Sequence, residues 1–150
     1  MPVILQRHIH KTLEIMSKSN YITTNHSKHY LKCHLILVCK YRKSVLVGQL
    51  DIDLKSIFHT ISNQPDFEIE VFESDRDHVH FLLRYIPRLS NSQIVRRLKQ
   101  ESTHQLWKLH YSLLHKQYWN QNLLWSDGYF VCSIGEASPE TIRNYILSQG

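Results

Sequence analysis

Residues 67–86 read FEIEVFESDRDHVHFLLRYI. In the first half Phe67, Ile69 and Val71 alternate with Glu68 and Glu70, the period-two pattern of a strand with one covered face. The charged turn Asp75-Arg76-Asp77 runs straight into HVHFLLRYI, so the two runs pair as a hairpin. Upstream, LKCHLILVCKY is an unbroken run rich in Leu, Val and Ile, which predicts a central strand ending at the basic cluster Lys40, Arg42 and Lys43. Between them Gly48 and Asp51 open a helix with Leu50, Leu54, Ile57, Phe58 and Ile61 at the helical period, and Pro65 closes it. Downstream, Ser90-Asn91-Ser92 caps a helix from about Gln93 to Trp107, with Ile94, Leu98 and Leu109 facing inward. LWSDGYFVCSIGE supplies a fourth strand after the turn at Asp127-Gly128. SPETIRNYILSQ is a final helix with Ser138 as N-cap, Pro139 at the first position and Glu140 in the first turn. Strand, helix, strand, strand, helix, strand is the α+β, ferredoxin-like (RRM-like) split β-α-β order, here with an antiparallel sheet and an extra C-terminal helix.

The chain has 150 residues, with 18 Lys+Arg against 13 Asp+Glu and a formal charge of +5. At this length folding buries roughly 70% of the unfolded surface, enough for one core without disulfides or a structural metal. Residues 30–150 are expected to form that domain. Residues 1–29 are expected to be an appendage, a short helix at about Gln6–Ser17 followed by the polar tract SKSNYITTNHSKH. No stretch approaches the ~18 apolar residues of a membrane span, and Arg7, His8, His10 and Lys11 interrupt the first residues before a signal sequence could form. A cytoplasmic chain is therefore the expectation. Cys33, Cys39 and Cys132 fit no zinc spacing and read as reduced, mostly buried thiols.

Three constellations could carry chemistry. His78 and His80, two apart on a strand, project from one face while Val79 and Phe81 face the other way, and two imidazoles on one face can grip a divalent cation. With 11 His in 150 residues, chance alone yields about 0.8 His-x-His triplets. The competing interpretation is two surface histidines on a half-exposed sheet. The other triplet, His8-Ile9-His10, falls in an expected helix, where i and i+2 do not share a face. Tyr145 and Gln149 form an i, i+4 pair on the last helix. A phenol can attack a phosphodiester, but with only about 0.1% phenolate at neutral pH it needs activation, and a tyrosine on an amphipathic helix also serves simply as packing. Last, Lys40, Arg42, Lys43, Arg96, Arg97 and Lys99, with aromatics between Trp107 and Trp125, could track phosphates and stack bases, or be an ordinary solvated face.

DHVHFLL on the hairpin, LWSDGYFVCSIG before the last helix, the terminal Tyr145-Ile146-Leu147-Ser148-Gln149 and the strand HYLKCHLILVCKYRKSVL together resemble the single-tyrosine HUH transposases of the insertion-sequence 200/605 family (transposase A). The resemblance covers about residues 29–149. It implies that His78 and His80 are metal ligands, Gln149 the third ligand and Tyr145 the nucleophile. It implies Mg²⁺ or Mn²⁺ as cofactor, single-stranded DNA hairpins at element ends as substrate, a 5′-phosphotyrosine intermediate, and a homodimer in which the tyrosine helix can complete the partner's site. Asp127-Gly128 stands where that family commonly carries a more basic or polar pair. Two alternatives use the same residues differently. One is a domesticated, repeat-associated tyrosine transposase; the other is a non-catalytic single-stranded nucleic-acid-binding module of the same fold, which would not need His78, His80 or Tyr145.

Overall fold

A computed structural model describes residues 22–23, 28–133 and 138–149. In chain order these form β1 (Ile22–Thr23), β2 (Lys28–His29), β3 (Leu31–Val38), a 3-10 turn (Lys40–Arg42), α1 (Gly48–Ser62), β4 (Phe67–Asp75), β5 (His78–Tyr85), α2 (Asn91–Leu109), α3 (Tyr111–Gln117), β6 (Phe130–Ser133) and α4 (Pro139–Ser148). β1 and β2 pair with each other. The expected helix at Gln6–Ser17, the His8–His10 triplet and most of the appendage lie outside the described residues.

The main sheet has the order β4-β5-β3-β6, with every neighbour antiparallel. The α1 crossover places β4 one strand away from β3, and the hairpin folds β5 into the gap. This is the split arrangement expected from the element order. α1 and α2 cover one face. Leu35 and Leu37 of β3 and Val79, Phe81 and Leu83 of β5 pack there against Leu50, Leu54, Phe58 and Ile61 of α1 and Ile94, Leu98 and Leu106 of α2. Phe58 meets Phe81 edge-on, with ring centroids 4.9 Å apart. Each such fully buried side chain contributes roughly 1.5–3 kcal/mol, so this face carries most of the apolar stabilisation.

Three local details differ from the sequence-based expectation. The alternation of β4 breaks at a bulge between Ile69 and Val71, where Glu70 has no partner in the register. Val71 therefore pairs with Leu82 and turns to the face opposite Phe67 and Ile69, while Phe72 turns back to the helices. Such an extra residue shifts all later side chains by one position, and the pattern FEIEVF alone does not announce it. Leu109 is 61% exposed and does not face inward, because α2 ends there and His110 leaves the helical conformation. α3 then follows as a separate helix that buries Leu114. The caps agree with expectation: Ser90 and Gln93 form a reciprocal capping box on α2, and the Ser138 hydroxyl accepts from the Thr141 N–H on α4. Among the described residues no helix is long and apolar enough to cross a membrane.

Candidate active site

The second face of the sheet carries the candidate chemistry. His78 pairs across the strands with Val38 and Asp75, and His80 with Ile36 and Glu73, so all six lie on this face. The bulge at Glu70 is what turns Glu73 and Asp75 toward the histidines. Both imidazoles are buried, each 2% exposed, which removes the interpretation as two surface histidines.

Each ring is held differently. His78 Nδ1 lies 2.8 Å from Asp77 Oδ1. This contact favours the Nδ1–H tautomer and leaves the Nε2 lone pair unclaimed by the carboxylate, the usual support behind a metal-ligating histidine. Asp77 is itself positioned: its backbone carbonyl accepts from Cys39 N–H at 2.8 Å, and its other carboxylate oxygen lies 3.5 Å from Arg42 Nε. His80 Nε2 lies 3.0 Å from Nδ1 of His34, which projects from β3 onto the same face. One of the two rings must donate the shared proton.

α4 lies over this face. Ile142 and Ile146 are fully buried against Ile36 and Val38, and Phe130 and Tyr145 pack around them. Ile36 and Val38 are the cross-strand neighbours of His80 and His78, so α4 covers the same sheet face as the histidines. The Tyr145 ring is 5.5 Å from that of Phe130, and a Cβ on Gly128 would sit 3.5 Å from its hydroxyl. Burial pushes the Tyr145 phenol up, and the nearby Ser126 hydroxyl works against that shift. The two oxygens do not meet with hydrogen-bond geometry, and both are shut from solvent without a partner. Gln149 caps α4, and its amide nitrogen donates to the Ser148 hydroxyl at 3.1 Å. No described contact joins Gln149 to either histidine.

His78, with its outer nitrogen directed by a carboxylate, suits a divalent cation; His80 would join it through Nε2 only by giving up its 3.0 Å contact with His34, and an amide oxygen would be an acceptable third donor. Among the described residues, no three His, Cys, Asp or Glu side chains assemble into a metal cage.

The basic residues occupy less uniform settings than their charge suggested. Lys99 spends its ammonium on three backbone carbonyls, those of Ser126 at 2.7 Å, Asp127 at 3.2 Å and Gly128 at 2.8 Å. Burial lowers its pKa, with Asp127 opposing. It clamps the loop that borders the Tyr145 hydroxyl. Lys40 pairs with Asp127 at 2.9 Å, Arg42 with Asp77, and Arg97 with Glu101 at 2.9 Å. Arg96 is exposed and Lys43 half-buried.

His34, Asp77, Ser126 and the clamping role of Lys99 were not read from sequence. Asp77 directly precedes His78 and could have been found as a carboxylate beside a candidate ligand. His34 carried no such signal, because its meeting with His80 depends on strand register.

Residues 27–149 match the profile of the family described as "Transposase IS200 like". The ISDra2 transposase TnpA of Deinococcus radiodurans is 35% identical over 121 residues, covering 81% of this chain and 85% of the relative. The transposase for insertion sequence element IS200 of Salmonella typhimurium is 29% identical over 124 residues, 83% of this chain and 80% of the relative. A crystal structure described as a transposase from Deinococcus radiodurans R1 superposes with a TM-score of 0.76 at 29% identity, covering 85% of this chain and 97% of that one.

Proposed function

Because the chain belongs to the IS200-like transposase family and is therefore a DNA-processing enzyme, we propose that it cuts and rejoins single-stranded DNA at hairpin-bearing element ends, with Tyr145 as nucleophile. The observation that carries this reading is that one sheet face holds two buried imidazoles and is covered by the helix that bears Tyr145. His78, His80 and Gln149 would hold Mg²⁺ or Mn²⁺. When bound, the cation supplies Lewis-acid polarisation of the phosphate oxygens.

The chain's own groups do the rest. Asp77 keeps the His78 ring oriented, and Lys99 holds the Ser126–Gly128 loop against the phenol. The Tyr145 oxygen forms a bond to phosphorus as the bond to the 3′ oxygen breaks. The phenol proton is given up, and the departing oxygen takes one to become a 3′-OH. The DNA stays joined through its 5′ phosphate to tyrosine. Attack by a 3′-OH on this ester later restores a phosphodiester and returns the phenol, so no outside energy source is consumed. Since the Tyr145 pKa lies above its ordinary value, phenolate is scarcer than about 0.1% at neutral pH, and the proton must leave during attack.

Phosphate tracking would rest mainly on Lys43 and Arg96. Lys40, Arg42 and Arg97 would share the ion pairs they already make, and Lys99 is committed to its loop. The working form would be a homodimer in which α4 can complete the partner's site, built from residues 30–150 with residues 1–29 as an appendage, and acting in the cytoplasm.

A labelled single-stranded hairpin mixed with the protein and Mn²⁺ should give a covalent protein–DNA band on a denaturing gel. Tyr145→Phe should abolish it completely. Persistence of the band in Tyr145→Phe would remove Tyr145 as nucleophile, and affinity without any adduct would favour the non-catalytic binding module.

A further inference from the structure

Tyr41 and Trp119 are far apart in sequence and meet on the surface with ring centroids 5.5 Å apart and planes 30° from parallel. They are 48% and 71% exposed, whereas Trp107 and Trp125 are buried with their indole N–H groups bonded to the Leu123 carbonyl and the Ser102 hydroxyl. A large aromatic pair left in water is unusual unless something covers it.

The pair is built rather than incidental. Tyr118, fully buried, donates from its hydroxyl to the Lys40 carbonyl at 3.0 Å, and Lys40 N–H donates to the Leu124 carbonyl at 2.8 Å. These bonds tie the 3-10 turn to the segment after α3 and leave the next residue of each, Tyr41 and Trp119, facing out together. The turn holds Tyr41 at φ 58° and Arg42 at φ 50°, a left-handed conformation that non-glycine side chains rarely adopt. Such backbone persists only where surrounding contacts over-determine it.

Its charge and position specify the occupant. Lys40 Nζ lies 5.6 Å from the centre of the Tyr41 ring, and Arg42 and Lys43 follow directly. Arg42, which follows Tyr41 in the chain, reaches Asp77, which holds His78, so the turn that carries Tyr41 is linked to the candidate metal ligands. A flat aromatic face among cations beside a phosphate-handling site fits a nucleobase with its backbone phosphates.

We propose that Tyr41 and Trp119 form a stacking platform for one unpaired base of the single-stranded DNA that flanks the cleaved phosphate. This rests on the strand-transfer function above and adds a base subsite to it.

The test uses the full-length protein and a labelled DNA hairpin with unpaired flanks on both sides, together with a series in which each flanking nucleotide in turn is abasic. Binding should quench the emission of Trp119, the exposed tryptophan. Trp119→Ala and Tyr41→Ala should each weaken binding about tenfold, while Trp119→Phe stays near wild type. One abasic position should weaken wild-type binding by a similar factor and leave Trp119→Ala unaffected. Equal affinity of Trp119→Ala and wild type, or equal abasic penalties in both proteins, overturns the platform. So does a Trp119→Ala protein that loses self-association in sedimentation but binds DNA normally, since the occupant would then be a second copy of the chain. Adduct formation is scored separately: a wild-type adduct with no Trp119 effect sinks the platform alone, whereas no binding and no adduct sinks both readings.

Discussion

The two faces of the sheet are built to different standards. The helix-covered face buries a continuous apolar cluster from three strands and α1, α2 and the segment after α3. The histidine face carries a smaller apolar cluster, Ile36, Val38, Ile142 and Ile146 with Phe130 and Tyr145 at its edge, besides the buried cross-strand pair Val71 and Leu82. Around those few apolar contacts it places His34, His78, His80 and an ion-pair network in which Glu70 bonds Lys32 at 2.8 Å and Arg84 bonds Glu68. One face supplies the free energy of folding, which leaves the other able to hold polar groups and a short helix of ten residues that would not persist alone. The difference teaches that the candidate nucleophile is attached by a small, separable contact.

The largest test of this division is chemical. His78→Ala combined with His80→Ala should reduce DNA cleavage to background while hairpin affinity falls only a few-fold, because phosphates supply most of that affinity. Parallel loss of both in a binding and cleavage assay would make the pair structural.

Core truncations come next and separate the faces directly. Phe58→Ala should cost about 3–5 kcal/mol of global stability in urea unfolding. Ile146→Ala should cost about 2–4 kcal/mol at most, and hydrogen exchange should show the loss confined to α4. A uniform rise in exchange through α1 and α2 would show that the faces are one cooperative unit.

Asp77→Asn sharpens the histidine side alone. It should weaken Mn²⁺ binding by about 10–100-fold, measured by calorimetry, with the thermal midpoint little changed. Unaltered Mn²⁺ affinity would deny Asp77 its orienting role.

The last test lies on the helix-covered face and shows only at alkaline pH. Burial, with a lesser contribution from Cys132, pushes the Cys33 thiol up to about 12, and burial also raises Tyr118 and Cys39. These groups stay neutral in the fold and ionise first in the unfolded chain. Their contribution is therefore complete below an unfolded thiol pKa of about 8.5, and Cys33 should lose about 1.4 kcal/mol per pH unit above it until its folded form ionises. Cys33→Ala should flatten part of that alkaline decline in a series of unfolding curves; an unchanged slope would place the loss elsewhere.

Most of the architecture was legible in the sequence. Leu50, Leu54, Ile57, Phe58 and Ile61 announced α1 by their spacing, and all five are buried. Ser90 and Ser138 announced helix starts, and both cap as expected. His78 and His80 declared a shared face because strand geometry has a period of two. The bulge at Glu70 was not legible, since the same letters serve an unbroken strand, and neither was α3, whose apolar signal is weak.

The sequence by itself determined the order and kind of elements, the caps, and the resemblance that points to Tyr145, because these depend on local periodicity and on short motifs. Only the tertiary structure decided that the histidines are buried, that His34 meets His80, that Lys99 serves a loop, and that Tyr41 finds Trp119. Each of those is a meeting of residues distant in the chain, set by strand register and by how α4 and the segment after α3 pack back on the sheet, and no local pattern encodes such distances.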